Sequence, residues 1–317
     1  MTGDRPVRIA NCSGFFGDRL SAAQEMVEAG DIDVLTGDWL AELTMLILHK
    51  QRARNSDLGF ASTFLTQMEQ VLGTCVERGI KVVSNAGGLN PAGCAAKVRA
   101  LAERMGLDVA VAHIEGDDLM PRIEGLRPQL TNLDTGEPLT ATPLSANAYL
   151  GAWGITEALR AGADVVVCPR VTDASLVVGP SAWWWSWSSD DWDALAGAVV
   201  AGHIIECGAQ ATGGLWHRWD EIPDLAGVGY PIAEIQDDGS SIITKPERSG
   251  GLVSVGTVTE QLVYEIGDPA RYRTPDVDVD FTSLKVEQEG PDRVRVRGAR
   301  GVPPSDHWKV SAVYRDG

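Results

Sequence analysis

The sequence predicts an α/β protein: a mostly parallel sheet with flanking helices in Rossmann-like layering, followed by a smaller β-rich C-terminal part. Three observations predict it. Short β-branched runs each end in a polar, glycine-bearing or acidic turn, and most are followed by a helical pattern; parallel strands with crossover helices read this way. Past residue 230 the texture changes to period-two alternation, as in VDVDFTSLKVEQEG and DRVRVRG, the pattern of antiparallel strands. The chain of 317 residues suits one large α/β domain or two domains. The expected division is an α/β body over 1–230 and a β-rich extension packed on it over 231–317.

The elements follow in order. Val7 to Ala10 is an apolar run that ends in NCSGFFGDR, and Ile32 to Leu35 ends in TGDW. Val82 and Val83 lead into NAGGLNPAG, Val109 to Ile114 into EGDD, and Val165 to Cys168 into PRVTDAS. Residues 38–49 read as a helix with Asp38 as N-cap. Residues 59–77 carry Phe60, Phe64, Met68, Val71 and Cys75 at helical spacing. Residues 91–105 have Asn90 as cap and Pro91 at the first helical position. Segments 147–161 and roughly 190–206 read the same way, the second with Ser189 as cap. IAEIQDDGSSIITK reads as two short strands around Asp-Asp-Gly. WKVSAVYRDG reads as a final strand whose partner is not evident. There is no internal repeat.

Composition excludes several classes. A net charge of −17 leaves no basic footprint for phosphate contacts, so nucleic acid is not an expected partner. No run approaches the ~18 apolar residues of a membrane span, and MTGDRPVRIANCSG has no apolar signal core. The five cysteines, Cys12, Cys75, Cys94, Cys168 and Cys207, are scattered and odd in number, as reduced thiols in a cytoplasm are.

Chemistry is expected where the polar loops converge, because ligands of open parallel sheets bind at the carboxyl ends of the strands. In NAGGLNPAG, Gly87 and Gly88 let backbone N–H groups approach a ligand, and Asn85 and Asn90 flank them. The motif matches neither the dinucleotide nor the P-loop fingerprint, so anion binding and a plain tight turn both remain open. Asp38 and Glu42 stand four apart, either as a cap with a solvated carboxylate or as a pair in which one pKa rises. Arg170 and Asp173 in PRVTDAS make either a carboxylate clamp or an internal ion pair. SAWWWSWSSDDW holds five tryptophans, expected in packing, a lid or a homo-oligomer contact through 183–192. In HIIECGAQATGG, a helix reaching Cys207 puts His203, Glu206 and Cys207 on one face, with Gln210 beyond. The negative helix end disfavours a Cys207 thiolate and favours a histidinium. Zinc spacing is missing, so no metal site is expected. An acid–base pair and a simple helix end remain as readings.

NCSGFFGDR, VLTGDWLAELTMLIL, VVSNAGGLNPAGC, NAYLGAWGI, GADVVVCPRVTDASL, AGHIIECGAQATGG, GYPIAEI and EQLVYEIGDP occur in this order. Together they resemble the acyclic terpene utilisation family, over about residues 7 to 315. The resemblance implies a bacterial, cytoplasmic protein of citronellol- or geraniol-type breakdown, which proceeds through acyl-CoA esters. It implies no settled reaction. Relatives continue past the segment SDHWKVSAVYRDG, so this chain is expected to be a shortened form. The triple tryptophan at 183–185 is richer than the pattern, and Lys245 is followed by Pro where relatives tend to have His.

Two functions are weighed. In the first, an enzyme acts on a branched or isoprenoid carboxylic acid or acyl-CoA, as hydratase, lyase or hydrolase, without a cofactor. His203 and Glu206 form the acid–base pair, with Asp38 and Asp173 as further catalytic carboxylates. Asn85, Gly87, Gly88, Asn90, Arg170, Gln210 and Lys245 bind substrate. In the second, the protein is a non-catalytic partner of a terpenoid acyl-CoA carboxylase, with the tryptophan segment as its contact.

Overall fold

A computed structural model describes residues 5–315. Fourteen strands are defined among them. They are β1 (Val7–Asn11), β2 (Val34–Gly37), β3 (Lys81–Ser84), β4 (Val111–His113), β5 (Pro143–Ala148), β6 (Val165–Val167), β7 (Ile232–Ile235), β8 (Ser241–Thr244), β9 (Tyr272–Arg273), β10 (Asp278–Asp280), β11 (Lys285–Gly290), β12 (Arg293–Arg297), β13 (Arg300–Val302) and β14 (Val310–Tyr314). The α-helices are α1 (Ala22–Ala29), α2 (Glu42–Arg54), α3 (Ser62–Arg78), α4 (Pro91–Met105), the single turn α5 (Ile123–Leu126), α6 (Trp153–Arg160), α7 (Ser175–Trp185), α8 (Trp192–Ile205) and α9 (Val255–Val263).

Nine strands form one sheet in the order β11-β12-β8-β7-β1-β2-β3-β6-β4. The strands from β1 to β4 in that order pair in parallel, and β7, β8, β12 and β11 pair antiparallel. The β-rich C-terminal part therefore continues the sheet of the α/β body. Side chains on the parallel strands alternate between two cores, as the pleat requires. Ala10, Leu35, Val82 and Val165 face α1, α3 and α4. Ile9, Val34, Val83 and Val166 face α6, α7 and α8.

The connections create a crevice. From β3 the chain crosses through α4 to the edge strand β4, and then returns to place β6 between them. The helix after β3 packs in one core and the helix after β6 packs in the other. At neighbouring strands whose connections leave to opposite faces, the carboxyl ends open a cleft.

Several elements differ from the sequence expectation. The second helix begins at Glu42 with Ala41 as cap, and Asp38 caps nothing. The Asp38 carboxylate instead accepts from the Leu40 N–H at 3.0 Å and from the Asn85 side chain, which holds residues 38–41 as a turn. The stretch 147–161 is helical only from Trp153, because Ala148 and the residues before it belong to β5. The partner of β5 is β14, with Ala146 opposite Ala312. The final strand is thus paired. Ser189 is not the cap of α8; Asp191 holds that place, and its carboxylate accepts from Ser188.

The tryptophans of 183–192 pack on their own chain. The Trp185 indole N–H donates to the Ile235 carbonyl at 3.2 Å, and Trp187, which is buried, donates to the Asp237 carbonyl at 3.0 Å. Trp184 donates to the Arg5 carbonyl at 3.2 Å. An indole N–H that reaches a carbonyl lets a large aromatic pack without losing a hydrogen bond.

Candidate active site

Loops after β1, β2 and β6, the end of α8, and two loops of the C-terminal part enclose a cavity of about 910 Å³. That is within the roughly 300–1,000 Å³ of small-molecule sites. Asp38, Glu42, Arg170, Thr172, Asp173, His203, Glu206 and Gln210 line it.

The helix α8 delivers the histidine. Its residues from Leu195 to Ile205 are all buried, so the helix is apolar on every side, as a core helix is. His203 occupies its last turn and Glu206 its C-cap position. Their side chains meet, Nδ1 to Oε1, at 3.1 Å. Burial opposes charge on His203, but the Glu206 hydrogen bond and charge outweigh it and raise the imidazole pKa above its ordinary value. Because Nδ1 is engaged, Nε2 is the nitrogen left for chemistry; it is buried and has no hydrogen-bond partner among the described residues. Tyr272 and Phe281 pack beside the ring, at centroid distances of 5.7 and 6.0 Å. The Asn11 side chain, at the end of β1, donates to the Ile205 and Glu206 carbonyls. The Gln261 amide donates to the His203 carbonyl at 3.2 Å. These two amides bond the free carbonyls of the helix end.

Arg170 lies beyond β6 and is buried. It donates to the Leu40 carbonyl at 2.9 Å, approaches Asp173 at 3.3 Å, and stands 4.2 Å from the centre of the Tyr149 ring. Tyr149 donates its hydroxyl to Glu42 at 2.6 Å. That bond holds the Glu42 carboxyl below its usual range, although partial burial works against it.

The remaining carboxylates are pushed the other way. Burial raises Asp38 to about 6, with Arg170, Asn85 and the Leu40 N–H opposing and Glu206 adding. Burial also raises Asp173 well above the ordinary carboxylate value, helped by Asp38 and opposed by Arg170. The Asp173 side chain keeps 30% of its surface, but it lines the cavity and is enclosed by the other carboxylates and Arg170. That surface is therefore poorly hydrated, and the upward direction stands.

Arg170 Nε, Thr172 Oγ1, Asp173 Oδ1 (apart from its ion pair with Arg170), His203 Nε2, Glu206 Oε2 and Gln210 Oε1 are all buried without a hydrogen-bond partner among the described residues. Buried polar atoms are normally paired, and these six belong to residues around one cavity.

The other expected site residues lie elsewhere. Asn85 stands one layer behind, donating to Asp38 and accepting from the Trp39 N–H at 2.8 Å. Gly87, Gly88 and Asn90 do not line the cavity. Asn90 caps α4 through the Gly93 N–H at 3.0 Å. A Cβ on Gly87 would lie 2.5 Å from the Cys168 carbonyl oxygen, and one on Gly88 would lie 2.3 Å from Leu48. Lys245 is buried between the Ser249 carbonyl at 2.9 Å and Asp292 at 3.2 Å. Burial pushes the Cys207 thiol up, and Glu206 adds to this, which agrees with the helix-polarity argument against a thiolate.

Sequence reasoning missed Thr172, Tyr149, Tyr272 and Lys309, all of which line the cavity. Thr172 lies inside PRVTDAS and could have been read with Arg170. Tyr149 directly follows β5, a strand whose partner is at the far end of the chain, which hid it.

Among the described residues no group of three His, Cys, Asp or Glu side chains is disposed to hold a metal ion, and no helix is long and apolar enough to cross a membrane. Compared with known families, residues 7–317 match the model described as acyclic terpene utilisation family protein AtuA. No curated protein and no solved structure matches the chain.

Proposed function

We propose, from the premise that the chain belongs to the acyclic terpene utilisation family, that it is an enzyme acting by acid–base chemistry on a branched or isoprenoid carboxylic acid or its acyl-CoA ester. One observation carries the reading: the His203–Glu206 pair opens on the same cavity as Arg170, Asp38 and Asp173.

Hydration, elimination and hydrolysis each need one proton taken and one delivered at the substrate. The cavity separates these roles by environment. Where neighbouring groups have their pKa values pushed apart, acid and base are assigned. Asp173, whose carboxyl burial pushes toward the acid form against the opposing Arg170, is the proton donor in this reading. Glu42, held ionised by Tyr149, does not take part in transfer and balances Arg170. His203 exchanges its proton through Nε2 while Glu206 fixes its tautomer. Asp38, near 6, changes state within the working range of an enzyme. Arg170 and Thr172 orient the carboxyl or carbonyl group.

The test is a thermal-shift screen with geranic- and citronellic-type acids and their CoA thioesters, since a ligand that binds the native state alone raises apparent stability. Turnover of the ligands that shift the protein is then measured with His203→Asn. The reading predicts a shift from at least one such compound and loss of turnover in the variant. Turnover unchanged in His203→Asn would sink it. The accessory-partner reading rests on the tryptophan segment, in which Trp185 and Trp187 donate to carbonyls of the protein's own chain.

A further inference from the structure

The cavity is polar within, and at its mouth three exposed apolar side chains stand among charged ones such as Glu265, Asp268, Arg271 and Arg273. Phe15 is 58% exposed, Leu133 76% and Trp308 56%, yet all three line it. They come from three separate segments: the loop after β1, the turn between Thr131 and Pro138, and the loop between β13 and β14. Exposed apolar side chains scattered singly need no explanation, but a cluster around a cavity mouth marks a contact surface. Lys309 stands beside them, exposed, 4.6 Å from the centre of the Tyr149 ring. Arg170 stands 4.2 Å from the same ring inside the cavity. Among the described residues Lys309 makes no ion pair with a carboxylate. A cation therefore waits at the mouth and another lies inside, linked by one aromatic ring.

A hydrocarbon chain pushed to the inner end would cover Arg170, Asp173, His203 and Glu206 and leave their polar atoms unmet, which costs free energy at each. A carboxylate placed there meets two unpaired donors, the Arg170 Nε–H and the Thr172 hydroxyl. The chain then trails outward over apolar side chains that water would otherwise cover. The reverse orientation is unfavourable at both ends.

We propose that the cavity takes a free carboxylic acid head-first, with its carboxylate toward Arg170 and Thr172 and its hydrocarbon tail across Phe15, Leu133 and Trp308. It follows that a carboxyl group blocked by a bulky thioester carrier is excluded, because the carrier would have to occupy the interior. This rests on the reading of the cavity as the active site, and it narrows the substrate from acid or acyl-CoA to the free acid.

Isothermal titration of the full chain tests it, with straight-chain acids from butanoate to decanoate, the matched primary alcohols and the matched CoA thioesters. The acids are expected to bind with Kd falling about two- to fourfold per added methylene once the tail reaches the mouth, as burial of a CH2 group implies. Alcohols of equal length bind at least about tenfold more weakly, and the thioesters give no heat of binding. The double variant Leu133→Ser, Trp308→Ser flattens the dependence on chain length. The change Val263→Ser, at a residue exposed but outside the cavity, leaves the series as in the wild type. Thioesters binding as tightly as acids, or a flat series in the wild type, overturns the orientation. Failure of the acid–base reading appears separately, as turnover that ignores His203→Asn.

Discussion

Two glycine-bearing loops with an amide side chain, NAGGLNPAG after β3 and CGAQATGG after α8, look alike as sequence and differ in what they leave undone. In the first, the Gly88 N–H donates to Asn85, Leu89 to Gly59, and Asn90 to Gly87. Its asparagine side chain spends itself on Gly93 and Leu58. The turn is closed on its own chain. Around the second, His203 Nε2, Glu206 Oε2 and Gln210 Oε1 stay buried and unpaired. A ligand loop is therefore marked by hydrogen bonds that the protein does not complete, and glycine content alone does not distinguish the two.

The comparison predicts opposite responses to substitution. The largest effect belongs to the open region. His203→Asn is expected to cut kcat/KM about 10²- to 10⁴-fold, the usual weight of a general acid or base, read by steady-state kinetics on whichever acid the protein turns over. Removing Gly87 or Gly88 does the reverse. Gly88→Ala, at φ +51 and against Leu48, should lower stability by about 1–3 kcal/mol through overpacking, measured by urea unfolding. The affinity of the folded variant for the cavity ligand should stay unchanged. A variant that folded normally but lost the ligand would mean that the closed turn is part of the site after all.

Asp38 sharpens the comparison through pH. Its folded pKa, about 6, lies above the ordinary value of 3.8. A raised carboxyl pKa means that the fold favours the protonated form, so its contribution is whole below about 4 and is lost as pH rises through about 6. Asp38→Asn keeps an oxygen that accepts from Leu40 and Asn85 and removes the penalty. At pH 7 the variant should be more stable than the wild type by about 1–3 kcal/mol, from a little over 1 kcal/mol per pKa unit, and the advantage should vanish near pH 4. It should also lose activity. Equal pH dependence in both proteins would show that Asp38 is not strained in this way. Lys245→Met is expected to lower stability by about 1.5–3 kcal/mol through lost charged hydrogen bonds and to leave both ligand affinity and activity untouched, by thermal unfolding and titration.

Legibility from sequence followed sequence distance. The helix α4 was readable to its ends, because Asn90, Pro91 and the apolar spacing are local signals and the chain uses them as such. The hairpin of β7 and β8 around Asp238 and Gly239 was equally local. The helix expected at Asp38 was displaced to Glu42, because a side chain from the turn after β3, Asn85, claims the Asp38 carboxylate. The strand β5 was hidden, since its partner β14 enters about 165 residues later. Arg170, Asp173, His203, Glu206 and Gln210 were all singled out from strand and helix ends. Lys245 was singled out as a cation at the end of a predicted strand, and it pairs with Asp292 outside the cavity.

By itself the sequence determined the periods of its strands and helices, hence the α/β layering, and the arrival of His203 and Glu206 together at a helix end three residues apart. Those depend on spacing along one element, which local chemistry sets. Only the tertiary structure decided which strand ends share a cavity, which carboxylates are buried beside one another, and which polar atoms remain unmet. A pKa shift and an unpaired donor arise from neighbours brought in by other strands, and burial against those neighbours is what turned a busy helix end into a candidate site.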